Sequence, residues 1–179
     1  LHLCDRRQRQ MCIRDRFVGG YYYPNVNGFR WFIKNVTPLI KINYEVTLVG
    51  NRMDLLKEEF SNNSNVKVLG RVEDLSPYYE DADVVVGPIF EGAGMKVKTA
   101  EALSYGKIFI GTDESLIGYK ELAGNLLGKS IVVCNNEEEF AKAINNLDFG
   151  NGFCPENYDF FLRNYSIEAA TCKLKTLLE

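Results

Sequence analysis

The 179 residues carry a formal net charge of −3, with 46% hydrophobic and 25% charged residues. That balance fits one soluble domain with a real core and excludes disordered, collagen-like and disulfide-stapled chains. No run approaches the ~18 apolar residues of a membrane span, and the acidic total argues against a nucleic-acid partner.

The charge is uneven along the chain. Residues 1–16 hold five arginines, two aspartates, Cys4, Cys12 and the sole histidine, His2, which leaves 16 basic and 22 acidic residues and a net −6 for the body. This leader has neither a strand period nor an apolar helical face, and it lacks the apolar centre of a secretory signal. It reads as a basic arm, a targeting peptide or non-native sequence; Arg7 to Arg16 resembles a translated sequencing-adapter scar. The fold is therefore expected to start at Phe17, with further protein preceding it. The body has no histidine, which removes Ser-His-Asp and Cys-His mechanisms and histidine metal sites. Cys134, Cys154 and Cys172 are widely spaced and read as thiols of a reducing compartment.

Phe17 to Gly20 is a short apolar run ending in glycines, followed by a loop around Pro24. A helix is predicted from Asn27 as N-cap, with Phe29, Phe32, Ile33, Val36, Leu39 and Ile40 at three- and four-residue steps. Strands follow at Tyr44–Val49, Val66–Leu69, Val84–Val86, Ile108–Ile110 and Ser130–Cys134. Helical stretches are predicted at Asp54–Phe60, Leu75–Tyr79, Met95–Tyr105, Glu137–Leu147, Pro155–Tyr165 and Ser166–Leu178. Short apolar strands alternating with helices imply right-handed crossovers. The expected fold class is α/β, a doubly wound parallel sheet of Rossmann-like form with C-terminal helices. The expected division is a leader at 1–16, a Rossmann-like domain at 17–150 and a helical extension at 151–179.

Ligands of such sheets sit beyond the carboxyl ends of the strands. Glycines stand there: Gly19 and Gly20, Gly50, Gly70, Gly87, Gly92, Gly94 and Gly111. Glycine also ends strands for purely structural reasons, so each alone is ambiguous. The segment after the fourth strand carries more. Gly92, Ala93 and Gly94 precede a helix opened by Lys96 and Lys98. Free N–H groups and the helix dipole favour an anion there, whereas lysines in a first turn are disfavoured unless an anionic ligand offsets them. Glu101 lies six residues past Met95, about 9 Å along the axis, where a carboxylate can reach a ribose hydroxyl beside a bound diphosphate. The bland alternative is an exposed face with Lys98 and Glu101 as an i,i+3 pair.

Gly92 to Gly106 resembles the donor-site segment of family 4 glycosyltransferases of the GT-B fold. Three other blocks agree in order. Phe17–Gly19 with Pro24, Asn25, Trp31 and Phe32 resembles the opening strand and helix. Gly70–Leu75 resembles the loop beside the nucleobase, and Tyr79–Val84 with Pro88 the strand entering the donor site. The resemblance covers residues 17–178. It implies two Rossmann-like domains facing across a cleft, this chain being the C-terminal, donor-binding one and the N-terminal domain missing. It implies that Glu101 binds the ribose and that the backbone at Gly19, Gly92, Ala93, Gly94 and Met95, with Lys96, holds the diphosphate. Arg71 and Val72 would hold the base. The final helices would brace the other domain. The reaction implied is transfer of a sugar from a nucleotide-diphosphate sugar with retained anomeric configuration. It needs no cofactor and no bound metal, because Lys96 and the helix dipole take the cation's role.

Two departures stand out. The family's paired glutamates are separated by seven residues, whereas Glu91 and Glu101 are separated by nine, and Ala93 falls at the place of the catalytic partner that Glu91 would supply. An arginine and a lysine that many members carry after the first strand are replaced by Gly20 and Asn25. The expected partners are a nucleotide-sugar donor and a glycan or lipid-linked acceptor held by the missing domain. The parent enzyme is expected in the cytoplasm with peripheral contact at the inner membrane face. Two other readings stand beside this one: a nucleotide-sugar epimerase of the same fold, and a non-catalytic α/β interaction domain. A dehydrogenase is disfavoured because Gly19 to Pro24 lacks the G-x-G-x-x-G turn.

Overall fold

The structure is a computed structural model that describes residues 12–146, 148, 150 and 152–178. Six strands, β1 (Cys12–Val18), β2 (Asn43–Val49), β3 (Val66–Val68), β4 (Val84–Gly87), β5 (Ile108–Gly111) and β6 (Ile131–Val133), form one sheet. Every pairing is parallel and the order is β3-β2-β1-β4-β5-β6. The expected doubly wound α/β fold is therefore present.

The start of the fold is corrected. β1 begins at Cys12, and its register with β2 runs from Cys12 opposite Asn43 to Val18 opposite Val49. Residues 12–16, set apart above as leader, thus lie in the central strand, and residues 1–11 lie outside the described residues. Alternation put Ile13, Asp15 and Phe17 on one face. Asp15 is fully buried there and accepts a hydrogen bond from Tyr44 Oη. On the other face Arg16 Nη1 donates to the Asp15 carbonyl at 2.9 Å and Nη2 to Asp81 Oδ2 at 3.0 Å.

The first helix is also longer than expected at its start. α1 (Tyr23–Trp31) runs on through a π turn (Phe32–Val36) and a 3-10 turn (Thr37–Leu39). Pro24 opens the helix instead of holding a loop, because its fixed φ and missing N–H suit a first turn. Asn27 consequently lies inside α1, and Tyr22 is the N-cap. The segment after β2 is a 3-10 turn at Met53–Leu56 rather than an α-helix. The remaining helices are α2 (Ser76–Asp81), α3 (Val97–Ser104), α4 (Glu137–Asn146), α5 (Pro155–Asn164) and α6 (Ile167–Leu178). Leu147, the expected end of α4, lies outside the described residues.

Strand alternation divides the core in two. Val84, Val86, Ile108 and Ile110 face a cluster with Phe29 and Phe140 from α1 and α4. Val85 and Phe109 face the other side, with Tyr79, Leu103 and Phe160 from α2, α3 and α5. Each fully buried aromatic or aliphatic side chain contributes about 1.5–3 kcal/mol. Gly28 brings α1 down on the loop after β4: a Cβ there would stand 1.9 Å from the Pro88 carbonyl oxygen. The C-terminal segment splits. α5 belongs to the core, since buried Asn157 donates to the carbonyls of Lys107 and Ser130 at 2.8 and 3.2 Å. Lys107 in turn donates to the carbonyls of Glu80, Ala82 and Gly152 at 3.1, 3.0 and 2.6 Å. α6 has no buried residue.

Candidate functional site

The chain order of the sheet reverses between β1 and β4. From β1 it steps outward to β2 and β3, and it then returns to start β4, β5 and β6 on the other side. The crevice at such a switch point, beyond the carboxyl ends, is the natural ligand site of a doubly wound sheet. Gly19 and Gly20 flank it from β1, and the Pro88 to Gly94 loop flanks it from β4.

Gly19 is pinned at this edge. Its N–H donates to Val49 O at 2.9 Å, and Tyr21 N donates to Asn51 O at 2.8 Å. A Cβ at residue 19 would stand 2.9 Å from Asn25 Nδ2 and 3.0 Å from Lys98 Nζ. Asn25 Nδ2 donates to Gly20 O at 2.9 Å, and its Oδ1 accepts from Lys98 Nζ. The ammonium of Lys98 also lies 4.9 Å from the centroid of the Phe17 ring, a cation–π distance. Gly19, Asn25 and Lys98 thus form one cluster, held by β1, α1 and α3. Burial, then repulsion from Lys96, lowers Lys98 to about 8, with Glu101 acting in the opposite sense.

The two lysines part company. α3 starts at Val97, so Lys96 is its N-cap in extended conformation and only Lys98 lies in the first turn. This corrects the expectation that both open the helix. Lys96 Nζ turns back, donating to Gly94 O and to Glu114 Oε1, each at 2.7 Å. Its carbonyl accepts from Tyr119 Oη at 3.0 Å. Gly92, Ala93, Gly94 and Met95 form an exposed loop before α3. Gly94 takes φ +66°, where a side chain is strained, with open space around it.

Glu101 sits one turn beyond Lys98 on α3 and is half-buried. Its Oε2 accepts from Tyr79 Oη at 2.9 Å. Lys98 turns to Asn25 and Glu101 to Tyr79, so the bland i,i+3 pair does not form. Glu91 is exposed in the loop, next to Phe90, whose ring packs edge-on against Trp31 at 4.6 Å. Arg71 and Val72 follow the edge strand β3, with Arg71 exposed and Val72 half-buried. Gly70 ties their loop to β2 by accepting from Gly50 N at 3.3 Å. The structure therefore gathers Gly19, Lys98 and Glu101 around the switch point. Arg71 and Val72 stand on the β3 side of the crevice. Lys96 is turned onto its own loop, and Glu91 has no bonded partner among the described residues.

Sequence reasoning passed over Tyr79, Glu114 and the anchoring role of Lys98. Tyr79 and Glu101 lie 22 positions apart, and Lys98 and Asn25 lie 73 apart, so no local spacing marks either pair. The signal for Lys98 was present in weaker form, as one of two lysines beside the disfavoured end of the α3 dipole. Two further cavities, of about 300 and 470 Å3, lie elsewhere. One is lined by Thr37, Tyr44 and Asn62 to Val66, the other by Leu39, Lys41 and Glu138 to Asn146. Both lie toward the amino ends of the strands and bring no charged cluster to the crevice.

Comparison with known proteins bears on the family and the fold. Residues 16–147 match the family described as glycosyl transferases group 1. A Klebsiella pneumoniae protein, the uncharacterized 44.6 kDa protein of the cps region, is 30% identical over 142 residues, covering 73% of this chain and 36% of its own length. A glycosyltransferase from Rickettsia africae superposes with a TM-score of 0.73 at 16% identity, over 93% of this chain and 47% of that one. HepE of Anabaena in complex with UDP gives 0.68 at 14% identity, over 93% and 48%. The chain thus spans about half the length of these structures or less. The sheet is the Rossmann-like half of a GT-B fold, and the chain belongs to the group 1, family 4 glycosyltransferases.

Proposed function

We propose that this chain is the donor-binding half of a retaining glycosyltransferase and that it takes a uridine diphosphate sugar. The observation that carries the reading is the cluster of Gly19, Asn25 and Lys98 at the switch point, directly beside the first turn of α3. An ammonium held half-buried over an aromatic ring, at the open N–H groups of a helix start, is a site for an anion. The HepE relative, seen with UDP, supports the choice of nucleotide.

In this reading the diphosphate lies between the Gly19 backbone and the α3 N-terminus. Lys98 serves as its principal cation, and the N–H groups of Gly94, Met95 and Val97 as further donors. Lys96 is released from Glu114 as the ligand enters. Glu101 accepts from a ribose hydroxyl, and Arg71 and Val72 border the base. As the bond from sugar to diphosphate breaks, negative charge grows on the leaving phosphate. Fixed N–H groups and Lys98 stabilise that charge without reorganising. Glu91 has no defined place in this scheme, and the acceptor, a glycan or lipid-linked sugar, is offered by the other half of the parent enzyme. Free thiols at Cys134, Cys154 and Cys172 fit a cytoplasmic home, with the membrane reached only at its inner face. No helix among the described residues is long and apolar enough to cross a membrane.

Calorimetric titration with UDP tests the reading. The wild-type chain should bind UDP, and Lys98→Met should weaken binding by about 10- to 100-fold, the effect of losing a charge-assisted contact. The chain alone should give no multiple-turnover transfer from a UDP-sugar. Absence of UDP binding would leave a non-catalytic interaction domain. Robust transfer by the chain alone would refute the half-site assignment.

A further inference from the structure

The carboxylate of Glu101 is not left to solvent. Tyr79, on α2, is 1% exposed, and its hydroxyl donates to Glu101 Oε2 at 2.9 Å. The Tyr79 ring cannot swing away. It stacks on Tyr105 with ring centroids 5.0 Å apart and planes 10° from parallel. Tyr105 is itself anchored, because its hydroxyl donates to Ser76 Oγ at 2.8 Å. Ser76 opens α2, and its backbone N–H is capped by Asp74 Oδ1 at 2.8 Å. A line of contacts from Asp74 through Ser76, Tyr105 and Tyr79 ends on one oxygen of Glu101. Among the described residues Tyr79 is the donor that Glu101 has.

We propose that Tyr79 is a positioning residue for the ribose contact: it fixes Glu101 Oε2, and so leaves Oε1 held in place to accept from a ribose hydroxyl. This rests on the reading of Glu101 given under Proposed function. The physical reason lies in the glutamate itself. A free glutamate loses substantial rotamer entropy when a ligand orders it. A carboxylate already held by a charge-assisted bond from a buried phenol has met that cost before the ligand arrives. Burial and the Glu101 charge push the Tyr79 hydroxyl far above its ordinary value, so it remains a donor across the working range. Tyr79 touches no substrate in this scheme. It acts through Glu101 alone, and so its effect must depend on the ribose hydroxyls of the ligand.

That dependence supplies the test. The 179-residue chain is titrated with UDP and with 2′,3′-dideoxy-UDP. Wild type should favour UDP. Tyr79→Phe keeps the stacked ring and should lower UDP affinity by about tenfold while leaving dideoxy-UDP affinity unchanged. Tyr105→Phe, which keeps the stack and loses only the bond to Ser76, should retain the wild-type preference. A Tyr79→Phe chain with full preference overturns the inference, as does equal loss of both ligands or the same loss in Tyr105→Phe. A wild type that binds both nucleotides alike removes the ribose role of Glu101, and the inference with it. A wild type that binds neither removes the donor site itself. A second measurement needs no variant. With tyrosine labelled at Cζ, the Tyr79 carbon resonance should move on saturation with UDP and stay in place with dideoxy-UDP. A resonance unmoved by saturating UDP overturns the proposal even if Tyr79→Phe fails to fold.

Discussion

Lys98 shows how one residue can be costly to the fold and still central to the site proposed for the donor. Its surroundings lower it from an ordinary 10.5 to about 8, chiefly by burial. A group whose folded value is depressed in this way opposes folding while charged, so stability rises with pH between about 8 and 10.5. Lys98→Met should therefore raise stability at pH 7 by about 1–3 kcal/mol in urea denaturation, even as it weakens UDP binding. An entering diphosphate restores the ammonium toward its ordinary value. UDP affinity in wild type should accordingly hold up to pH 8 and then decline toward pH 9, and the Lys98→Met chain should lack that decline. A stabilised variant that still binds UDP at wild-type strength would show that Lys98 is only a packed side chain. The sequence placed a cation at this helix start but could not say which lysine. That depended on where α3 begins, one residue past Lys96, and on Asn25 reaching in from a helix 73 residues away.

Among the elements, β1 is the anomaly. Central strands of parallel sheets are covered on both faces and read as continuous apolar runs, as β4 and β5 do with every residue buried. β1 instead reads Cys12 to Val18 with Arg14, Asp15 and Arg16 in its middle. Asp15 Oδ1 and Arg16 Nε are buried with no hydrogen-bond partner. This is why the strand was illegible: apolar periodicity is the primary signal for a strand, and here only the register with β2 and β4 imposes one. The other strands were legible within a residue or two, because Val and Ile runs closed by glycine mark buried parallel strands without reference to distant partners. Burial pushes Asp15 up to about 7, against the bond from Tyr44 and the nearby Arg16 charge. A carboxyl raised in the folded state leaves stability intact below about pH 4 and erodes it as pH climbs through 7, by an amount on the order of 4 kcal/mol. Asp15→Val combined with Tyr44→Phe, which leaves no orphan hydroxyl, should stabilise the chain at pH 8 by about 2–4 kcal/mol. The difference should shrink at pH 5, and equal gains at both values would show that Asp15 does not titrate in the fold.

At the scale of the whole molecule, the described surface is unfinished at one place. α6 lies against α5, and Ile167, Leu174, Leu177 and Leu178 are 82%, 60%, 81% and 86% exposed. Positions 167, 170, 174 and 178 recur at three- and four-residue steps, so an apolar stripe runs the length of the helix. Soluble monomers seldom leave such a stripe bare. Under the half-site reading proposed above, the occupant of this stripe is the second half of the parent enzyme. Without that half, the stripe should find the next best apolar surface, another copy of itself. The 179-residue chain should then self-associate in sedimentation velocity as its concentration rises through the micromolar range. Leu174→Lys with Leu178→Lys should return it to a monomer. Neither residue packs into the core, so the melting temperature should move by no more than a degree or two, and UDP affinity, set by α3 and the β1 edge, should not change. A concentration-independent monomer in the wild type would mean that α6 needs no cover. Self-association that survives both lysines would place the sticky surface elsewhere and free α6 from any part in joining the two halves.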